Sequence, residues 1–408
     1  MASRRVARAR HVARQLRASV TNRLGADAFA AECAARGPVP TGAVCLWFAS
    51  GPENTYQLTH WLGPLERLAE SVPVAIVVAR PDTGRAVLAA TSLPVAFAPS
   101  SRALETLVHE ADVPVVLYVN HVELNFRMLR FASPVHVYLG HGESDKDSSV
   151  SNQNRAYDRV FVAGRAAQDR IASHLRGFDV DRLTRTIGSP QLDDDHAGAP
   201  DWAPDGSIRV LYAPTWEGDR PRMAYGSVPT HGVALVRALV ADPRFRVVYR
   251  PHPRAGYNDP ATREADAAVR AVLAEHGDRH LVDIGAYGWQ WDFCDVCVTD
   301  VSSVAYDWLA TGKPLLVTRP ADARAFLPDS PLLRTTPTLD AADAPQAADV
   351  VGALAADDRG DARARRLEAA AYYFGDTADG ASTRRFGEAV REAVAYAREH
   401  PVPVVPDH

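Results

Sequence analysis

Three small polar side chains, Asp300, Ser302 and Ser303, follow a Val-rich segment with the pattern of a buried strand (VCVT, 296–299). Residues 304–311 have helical spacing, and Gly312 follows as a helix stop. A helix start after a strand suits a phosphate, because backbone N–H groups and the helix dipole favour an anion and two hydroxyls add donors. Helix capping by the serines is the alternative, and this stretch taken alone favours it.

A histidine between two prolines, His252, follows a second predicted strand (FRVVYR, 245–250). The prolines have a fixed φ, so the ring leaves a rigid strand end. Arg250 and Arg254 flank the histidine and favour an anion nearby. A capping or core histidine is the alternative, but the flanking charges favour a functional one.

A second histidine, His141, stands between Gly140 and Gly142 at the end of VHVYLG. Glycines let the backbone approach a ligand closely. Ser144 and Lys146 follow, and the lysine can contact a phosphate. An ordinary glycine turn is the alternative for this cluster.

All these clusters stand at the carboxyl ends of predicted strands, as does a fourth, Thr215 and Trp216, after RVLYA. Strand patterns alternate with helical stretches, which predicts an α/β fold with mostly parallel sheets. Such sheets bind ligands at the carboxyl ends of their strands, so two doubly wound domains facing a central cleft would gather the clusters. The predicted strands are 43–50, 73–79, 113–119, 135–140, 159–163, 209–213, 245–250, 281–284, 296–299 and 315–318. The predicted helices are 54–71, 165–176, 231–241, 260–276 and a tail from 340 that breaks at 375–380.

A segment dense in Pro, Gly and Asp (AGAPDWAPDGS) follows residue 196 and predicts a domain boundary. We expect an N-terminal helix (1–36), an N-terminal Rossmann-like domain (37–195) and a C-terminal Rossmann-like domain with terminal helices (196–408). Residues 1–24 carry seven Arg, no acidic residue, and Val and Leu at helical spacing. This pattern predicts a basic amphipathic helix on an anionic membrane surface. A solvated helix packed on its own domain is the alternative.

Composition excludes several classes of protein. A net charge of -5 over 408 residues argues against a general nucleic-acid binder. No apolar run reaches the roughly 18 residues of a membrane span, and no secretory signal is present, so we expect a cytoplasmic protein. Cys294 and Cys297 form a C-x-x-C whose side chains would point to opposite faces of a strand, which predicts buried reduced thiols. No motif has metal-ligand spacing, and Asp193–Asp195 are expected to start a helix.

The motifs together resemble the CDP-glycerol glycerophosphotransferase family, the teichoic-acid polymerases and primases of bacterial cell walls. The resemblance spans roughly residues 43–390 and rests on HGESDK (141–146), YAPTWEG (212–218), RPHP (250–253), TDVSSVAYDWLATGKPLL (299–316), GSPQLD (188–193) and DGASTRR (379–385). Three positions depart from the familiar motifs. Glu143-Ser144-Asp145 replaces Thr-Pro, Gln191 stands where Arg is common, and a usual Lys is missing after Asp379-Gly380.

The resemblance implies a GT-B architecture with an N-terminal acceptor domain and a C-terminal domain that binds a CDP-linked donor. The implied reaction moves glycerol phosphate, or a related polyol phosphate, to a hydroxyl of a lipid-linked polymer and releases CMP, with no cofactor or metal required. His141 would be the base and His252 would contact the diphosphate; Ser144 and Lys146 would bind phosphate or acceptor. The implied donor-binding residues are Thr215, Trp216, Arg250, Arg254, Asp300, Ser302, Ser303 and Arg384. The enzyme would lie on the inner face of the membrane.

Two alternatives stay open at this point. A glycosyltransferase or epimerase acting on a UDP-sugar shares the GT-B fold, and a fold does not fix the chemistry. A non-catalytic scaffold that holds the polymer is the other, and the presence of both histidines argues against it.

Overall fold

The structure, a computed structural model, describes residues 25–146, 150–194, 197–285, 287–327, 329–357 and 360–402. The predicted basic helix over residues 1–24 lies outside these ranges. Residues 25–36 are helical and are called α1. No helix in the described ranges is long and apolar enough to cross a membrane.

Thirteen strands form two sheets in the described chain, and all ten predicted strands are present. The strands are β1 Val44–Phe48, β2 Val74–Val78, β3 Val95–Phe97, β4 Val115–Tyr118, β5 Val135–Tyr138, β6 Arg159–Val162, β7 Thr184–Thr186, β8 Ile208–Ala213, β9 Phe245–Tyr249, β10 Leu281–Val282, β11 Val296–Thr299, β12 Leu315–Thr318 and β13 Thr338–Leu339. The central strands are continuous apolar runs with every residue buried, for example VCLWF in β1. Burial on both faces is typical of parallel sheets covered by helices.

Helices follow most strands. They are α2 Thr55–Thr59, α3 Leu62–Ala69, α4 Pro81–Ala90, α5 Ser101–Glu110, α6 Phe126–Leu129, α7 Arg165–His174, α8 Val180–Leu183, α9 Val233–Ala241, α10 Pro260–Ala274, α11 Gln290–Phe293, α12 Ser303–Leu309, α13 Pro331–Thr335, α14 Ala347–Ala356, α15 Asp361–Phe374 and α16 Ala381–Glu399. The break predicted at 375–380 separates α15 from α16.

The helical stretch predicted over 54–71 is confirmed as two helices, whereas one continuous helix over this range is wrong, because His60 and Trp61 separate α2 from α3. Pro64 is tolerated in the first turn of α3, but its ring and missing N–H cannot continue the preceding helix. The helix expected at Asp193 is also wrong. Asp193 ends a short 3-10 turn, and its carboxylate accepts a hydrogen bond of 2.7 Å from the Thr383 N–H near the start of α16.

Both sheets have the strand order of a Rossmann fold. The first has the order β3-β2-β1-β4-β5-β6-β7 and the second β10-β9-β8-β11-β12-β13. Pairing is parallel throughout the second sheet and from β3 to β6 in the first. The order reverses between β1 and β4, and again between β8 and β11. Ligands of open α/β sheets bind outside the carboxyl ends of strands at such switch points.

Contacts divide the chain into two compact units. Of the described residues, the first holds 25–141, Ala156–Val160 and 387–402. The second holds Gly142–Arg155 and Phe161–Phe386. Each unit has its own buried core, around β1 and β4 in the first and on both faces of the second sheet in the other. The predicted boundary near residue 195 and the acceptor and donor roles of the domains remain predictions.

Candidate active site

The loops at the second switch point are held together by one buried carboxylate. Asp300, directly after β11, is fully buried. Its Oδ2 accepts from the N–H groups of Thr215, 2.7 Å away, and Ser227, 3.2 Å away, and its Oδ1 accepts from the Thr318 hydroxyl. Burial raises the pKa of Asp300, and these hydrogen bonds oppose the shift. Asp300 therefore fixes the loop after β8 against β11, and Thr215 is buried by the same arrangement.

The two serines stand where α12 begins. Ser302 is the N-cap residue, with extended backbone, but its side chain makes no capping hydrogen bond. Its hydroxyl lies 3.3 Å from Thr299 Oγ1 instead. Ser303 is half-buried and borders Gly142, where an added Cβ would lie 3.0 Å from the Ser303 Cβ. Gly142 also has φ +139°, so a side chain is disfavoured there on both counts.

The residues that depart from the familiar family motif form a buried acid–arginine cluster. Glu143 and Asp145 are 7% and 8% exposed, and both accept hydrogen bonds from the Arg170 guanidinium on α7. Asp145 also accepts from the Tyr373 hydroxyl, and its N–H donates to Tyr306 Oη at 3.0 Å. Burial raises the pKa of Glu143 to about 7, against the opposing charge of Arg170. This cluster anchors the segment 142–146 next to α12.

Lys146 ends this segment as a half-buried cation. Its Nζ lies 5.3 Å from the centre of the Tyr225 ring, within cation–π range. Burial lowers the pKa of Lys146 to about 8, and the charge of Asp300 opposes the shift. A lysine in this state is a cation near neutral pH that loses its charge at mildly alkaline pH. Ser144 is half-buried on the same segment.

The loop after β9 carries an aromatic and cationic stack. The ring of His252 lies 6.4 Å from that of Trp216, at 27° between planes, and the Arg254 guanidinium lies 3.9 Å from the Trp216 ring centre. The backbone N–H of Arg254 donates to His252 Nδ1 at 3.0 Å. Because Nδ1 is the acceptor, a neutral His252 ring carries its proton on Nε2. His252 therefore presents a donor from Nε2.

Glu217, next to Trp216, ties the loops after β8 and β9 together. Its carboxylate accepts from the N–H groups of Gly256 at 2.9 Å, Asn258 at 2.7 Å and Asp259 at 3.1 Å. Three backbone N–H groups on one carboxylate make a rigid connection. The relative placement of Trp216 and His252 is thereby fixed.

Two predicted donor-binding arginines lie in other surroundings. Arg250 is 2.5 Å from the buried carboxylate of Asp283 and donates to the Gly285 carbonyl at 3.0 Å. Arg384 is exposed on the first turn of α16, with the Asp379 carbonyl as a 3.4 Å partner. Near Arg384 the two landmarks GSPQLD and DGASTRR meet, since the N–H of Ser189 donates to Ser382 Oγ at 3.2 Å. The contacts of Arg250 and Arg384 with the donor remain predictions.

His141 belongs to the first unit and has the opposite tautomer from His252. Its Nδ1 lies 2.9 Å from the Val119 carbonyl oxygen, to which only an N–H can bond. A neutral ring therefore has its lone pair on Nε2, which lies 3.5 Å from Gln57 Nε2. An imidazole of this form can accept a proton at Nε2, as a general base must.

A groove of about 420 Å³ lies beside the loops after β8, β9 and β12, and it contains none of the predicted site residues. Four carboxylates line it, from Glu217, Asp219, Asp259 and Asp322, against one cation, Arg220. Such a lining disfavours a diphosphate.

In the described part of the chain, no three His, Cys, Asp or Glu side chains are grouped as metal ligands would be. The four cysteines are buried free thiols, as predicted.

Within the second unit, the structure brings together segment 142–146, the ends of β8 and β11, and the aromatic stack after β9. Sequence reasoning missed three partners. Glu217 lies inside the YAPTWEG motif, so proximity to Trp216 was a signal. Tyr225 and Arg170 are far from their partners in sequence, and nothing in the local pattern identifies them.

Comparisons with known proteins bear on the fold and the family of the chain. A search of curated proteins by sequence found no match. Among solved structures, a variant of the wall teichoic acid polymerase TagF aligns with 13% identity and a TM-score of 0.57, over 88% of this chain and 91% of that one. MnaA from S. aureus, solved with UDP, aligns with 15% identity and a TM-score of 0.56, over 90% and 100%. HepE from Anabaena, solved with UDP and glucose, aligns with 12% identity and a TM-score of 0.52, over 86% and 99%.

These structural likenesses confirm the GT-B fold with two Rossmann-like domains. The family described as CDP-glycerol:poly(glycerophosphate) glycerophosphotransferase matches residues 136–391, which include both histidines, Lys146 and the two serines. The match covers more than half of the chain. The chain therefore belongs to the CDP-glycerol:poly(glycerophosphate) glycerophosphotransferase family and is a transferase of that type.

Proposed function

We propose that this enzyme transfers glycerol phosphate from CDP-glycerol to a hydroxyl of a lipid-linked cell-wall or capsule polymer and releases CMP. The observation that carries the proposal is the pair of histidines with opposite tautomers, both within the family match. One histidine can accept a proton at Nε2 and the other can donate from Nε2. A group transfer from a diphosphate to an alcohol is favoured by a base for the alcohol and by a hydrogen-bond donor for the leaving phosphate.

His141 acts on the acceptor side of the reaction. Its Nε2 takes the proton of the acceptor hydroxyl as that oxygen bonds to the phosphorus that carries the glycerol. The bond between this phosphorus and the bridging oxygen breaks, and the bridging oxygen leaves with CMP. The polymer gains one phosphodiester, and no oxidation or reduction occurs.

The second unit acts on the donor side. His252 Nε2–H contacts the diphosphate, and Lys146, Arg254, Ser302 and Ser303 add charge and donors where negative charge moves to the leaving group. These side chains supply positive charge and hydrogen bonds from the protein itself. We therefore propose that the reaction requires no metal or cofactor. Thr215 and Trp216 contact the nucleotide, and Asp300 holds their loop in place.

We propose that the enzyme reaches its acceptor at the inner face of the cell membrane. The seven Arg of residues 1–24 would attract the chain to an anionic lipid surface. A lipid-linked polymer would be accessible to an enzyme held there.

The experiment that tests the proposal compares His141→Ala and His252→Ala. We expect His141→Ala to lose roughly 10²–10⁴-fold in kcat, the usual contribution of a general base, while CDP binding by calorimetry stays unchanged. We expect His252→Ala to lose both turnover and CDP affinity, because its contact exists before the transition state as well as in it. His109→Ala, on the exposed side of α5, is the matched control. Full activity in either active-site variant, or turnover of UDP-sugars instead of CDP-glycerol, would contradict the proposal.

A further inference from the structure

A buried polar network occupies the switch point of the first sheet. Ser50 lies two residues after β1 and Asn120 two residues after β4, and Asn120 Nδ2 lies 3.1 Å from Ser50 Oγ. Asn120 Nδ2 also lies 2.8 Å from Gln57 Oε1 on α2. The three residues are only 6–8% exposed. Buried amides in such a position require specific partners, because an unsatisfied buried polar group destabilises the fold.

One backbone carbonyl determines the orientation of the whole network. The Val119 oxygen accepts from His141 Nδ1, so a neutral ring has its lone pair on Nε2. Gln57 must then turn its amide nitrogen toward His141, 3.5 Å away, and its oxygen toward Asn120. Asn120 in turn must offer its nitrogen to Gln57. The tautomer of His141 and both amide orientations therefore follow from a single acceptor.

The same network disfavours a charged His141. With the amides in this orientation, a protonated ring would place an Nε2–H against the Gln57 N–H groups, and two donors repel, so protonation requires Gln57 and Asn120 to reverse their amides. Gln57 and Tyr56 on α2 face the ring, with Tyr56 edge-on at 6.3 Å between ring centres, and so does the Val119 carbonyl just after β4. The backbone before His141 is also held, since Trp61 Nε1 donates to the Gly140 carbonyl at 2.8 Å.

We propose that Gln57 is a positioning residue that keeps His141 neutral with its lone pair on Nε2, and that Asn120 orients Gln57 for this role. The inference rests on the proposed function of His141 as the base that accepts the proton of an alcohol acceptor. Gln57 acts through His141 and carries no proton itself. It determines at which pH the base is available.

The test replaces the amide donor with a carboxylate acceptor of the same shape. In Gln57→Glu, the carboxylate stabilises the protonated ring, so the acid-side midpoint of the pH–kcat profile should move up by about one pH unit or more. At pH values below both midpoints, kcat should fall roughly ten-fold for each unit of that shift, with the donor KM unchanged and activity recovered at higher pH. Asn120→Asp should shift the profile in the same direction, because it forces Gln57 to turn its oxygen toward His141.

An NMR titration of the His141 ring nitrogens separates this inference from the proposed function. It should show the Nδ1–H tautomer in the wild type and a midpoint moved to higher pH in Gln57→Glu, whether or not the protein turns over CDP-glycerol. The control is Gln168→Glu, a half-buried amide on α7 bonded to Thr184, which should leave the ring titration unchanged. An Nε2–H tautomer in the wild type, or the same midpoint in Gln57→Glu and wild type, would overturn the inference. The expected titration without CDP-glycerol turnover would uphold the inference on Gln57 and refute the proposed reaction.

Discussion

At the scale of residues, Asp300 illustrates how a polar side chain at a strand end can act on a site through the backbone. Its oxygens accept from Thr215, Ser227 and Thr318, and the residue is fully buried. The sequence predicted Asp300 as a donor-binding residue at the end of a strand; its position directly after β11 is confirmed, and its donor contact remains a prediction. The sequence could not show that both oxygens bond to protein groups, because two of those partners are more than seventy residues away.

The serines at the start of α12 give the first prediction. Ser302→Ala combined with Ser303→Ala should weaken CDP binding by on the order of 1.5–3 kcal/mol for each lost charge-assisted contact. The melting temperature should change little, because the Ser302 side chain makes no capping hydrogen bond. Calorimetry with CDP and thermal unfolding measure the two quantities. A large loss of stability with unchanged CDP affinity would assign the serines to the fold alone.

Lys146 gives a prediction on pH. Its pKa is lowered to about 8 by burial, so the side chain is charged below that pH and neutral above it. If it contacts the diphosphate, affinity for CDP-glycerol should be highest below about pH 8 and should fall as pH rises through that value. Lys146→Arg keeps its charge and should remove this dependence. Lys146→Met should bind weakly at every pH. An unchanged dependence in Lys146→Arg would show that another group titrates.

At the scale of elements, the long buried strands were predictable and the short ones were not. Runs such as VAIVV are unmistakable, but β3, β7, β10 and β13 have only two or three residues, and β3, β7 and β13 were missed. No bounds were predicted for α4 and α5, although α5 has Leu104 and Val108 at helical spacing on its buried side. The HGESDK segment was predicted as a turn, and its anchoring by Arg170 depends on a helix that begins nineteen residues after Lys146.

The segment 142–146 gives a prediction on stability. Burial raises the pKa of Glu143 from 4.5 to about 7 in the folded protein. Its stabilising contribution is therefore complete below the unfolded value and is lost as pH rises through about 7. The melting temperature of Glu143→Gln should fall less between about pH 5 and about pH 8 than that of the wild type. Glu105→Gln, on the exposed side of α5, is the control. An equal fall in Glu143→Gln and wild type would show that Glu143 is ionised throughout.

At the scale of the whole molecule, two Rossmann folds were predictable because strands and helices alternate over the chain. The carboxyl-end placement of four clusters followed from that alternation. Partner groups such as Gln57 and Tyr225 were not predictable, because tertiary contacts alone bring them to the site. The family resemblance supplied the chemistry, which the fold alone would not have identified.

The N-terminal segment gives a prediction on membrane binding. Deletion of residues 1–24 should abolish binding to anionic vesicles and leave turnover of a soluble acceptor intact. Roughly 1 kcal/mol per basic residue near an anionic surface makes seven Arg sufficient, and added salt should weaken the attraction. Vesicle sedimentation at low and high salt measures this. Equal binding to neutral vesicles, or binding insensitive to salt, would refute the electrostatic account.

The most direct test of the central claim is a ³¹P NMR time course of the enzyme with CDP-glycerol and a glycerol phosphate polymer as acceptor. Transfer should convert the diphosphate signals of the donor into equal amounts of one phosphomonoester, CMP, and one new phosphodiester in the polymer. The phosphodiester should be absent with His141→Ala. Formation of two phosphomonoesters, CMP and free glycerol phosphate, would show hydrolysis instead. An unchanged diphosphate with CDP-glycerol, together with release of UDP from a UDP-sugar, would contradict the account and assign the enzyme to sugar chemistry.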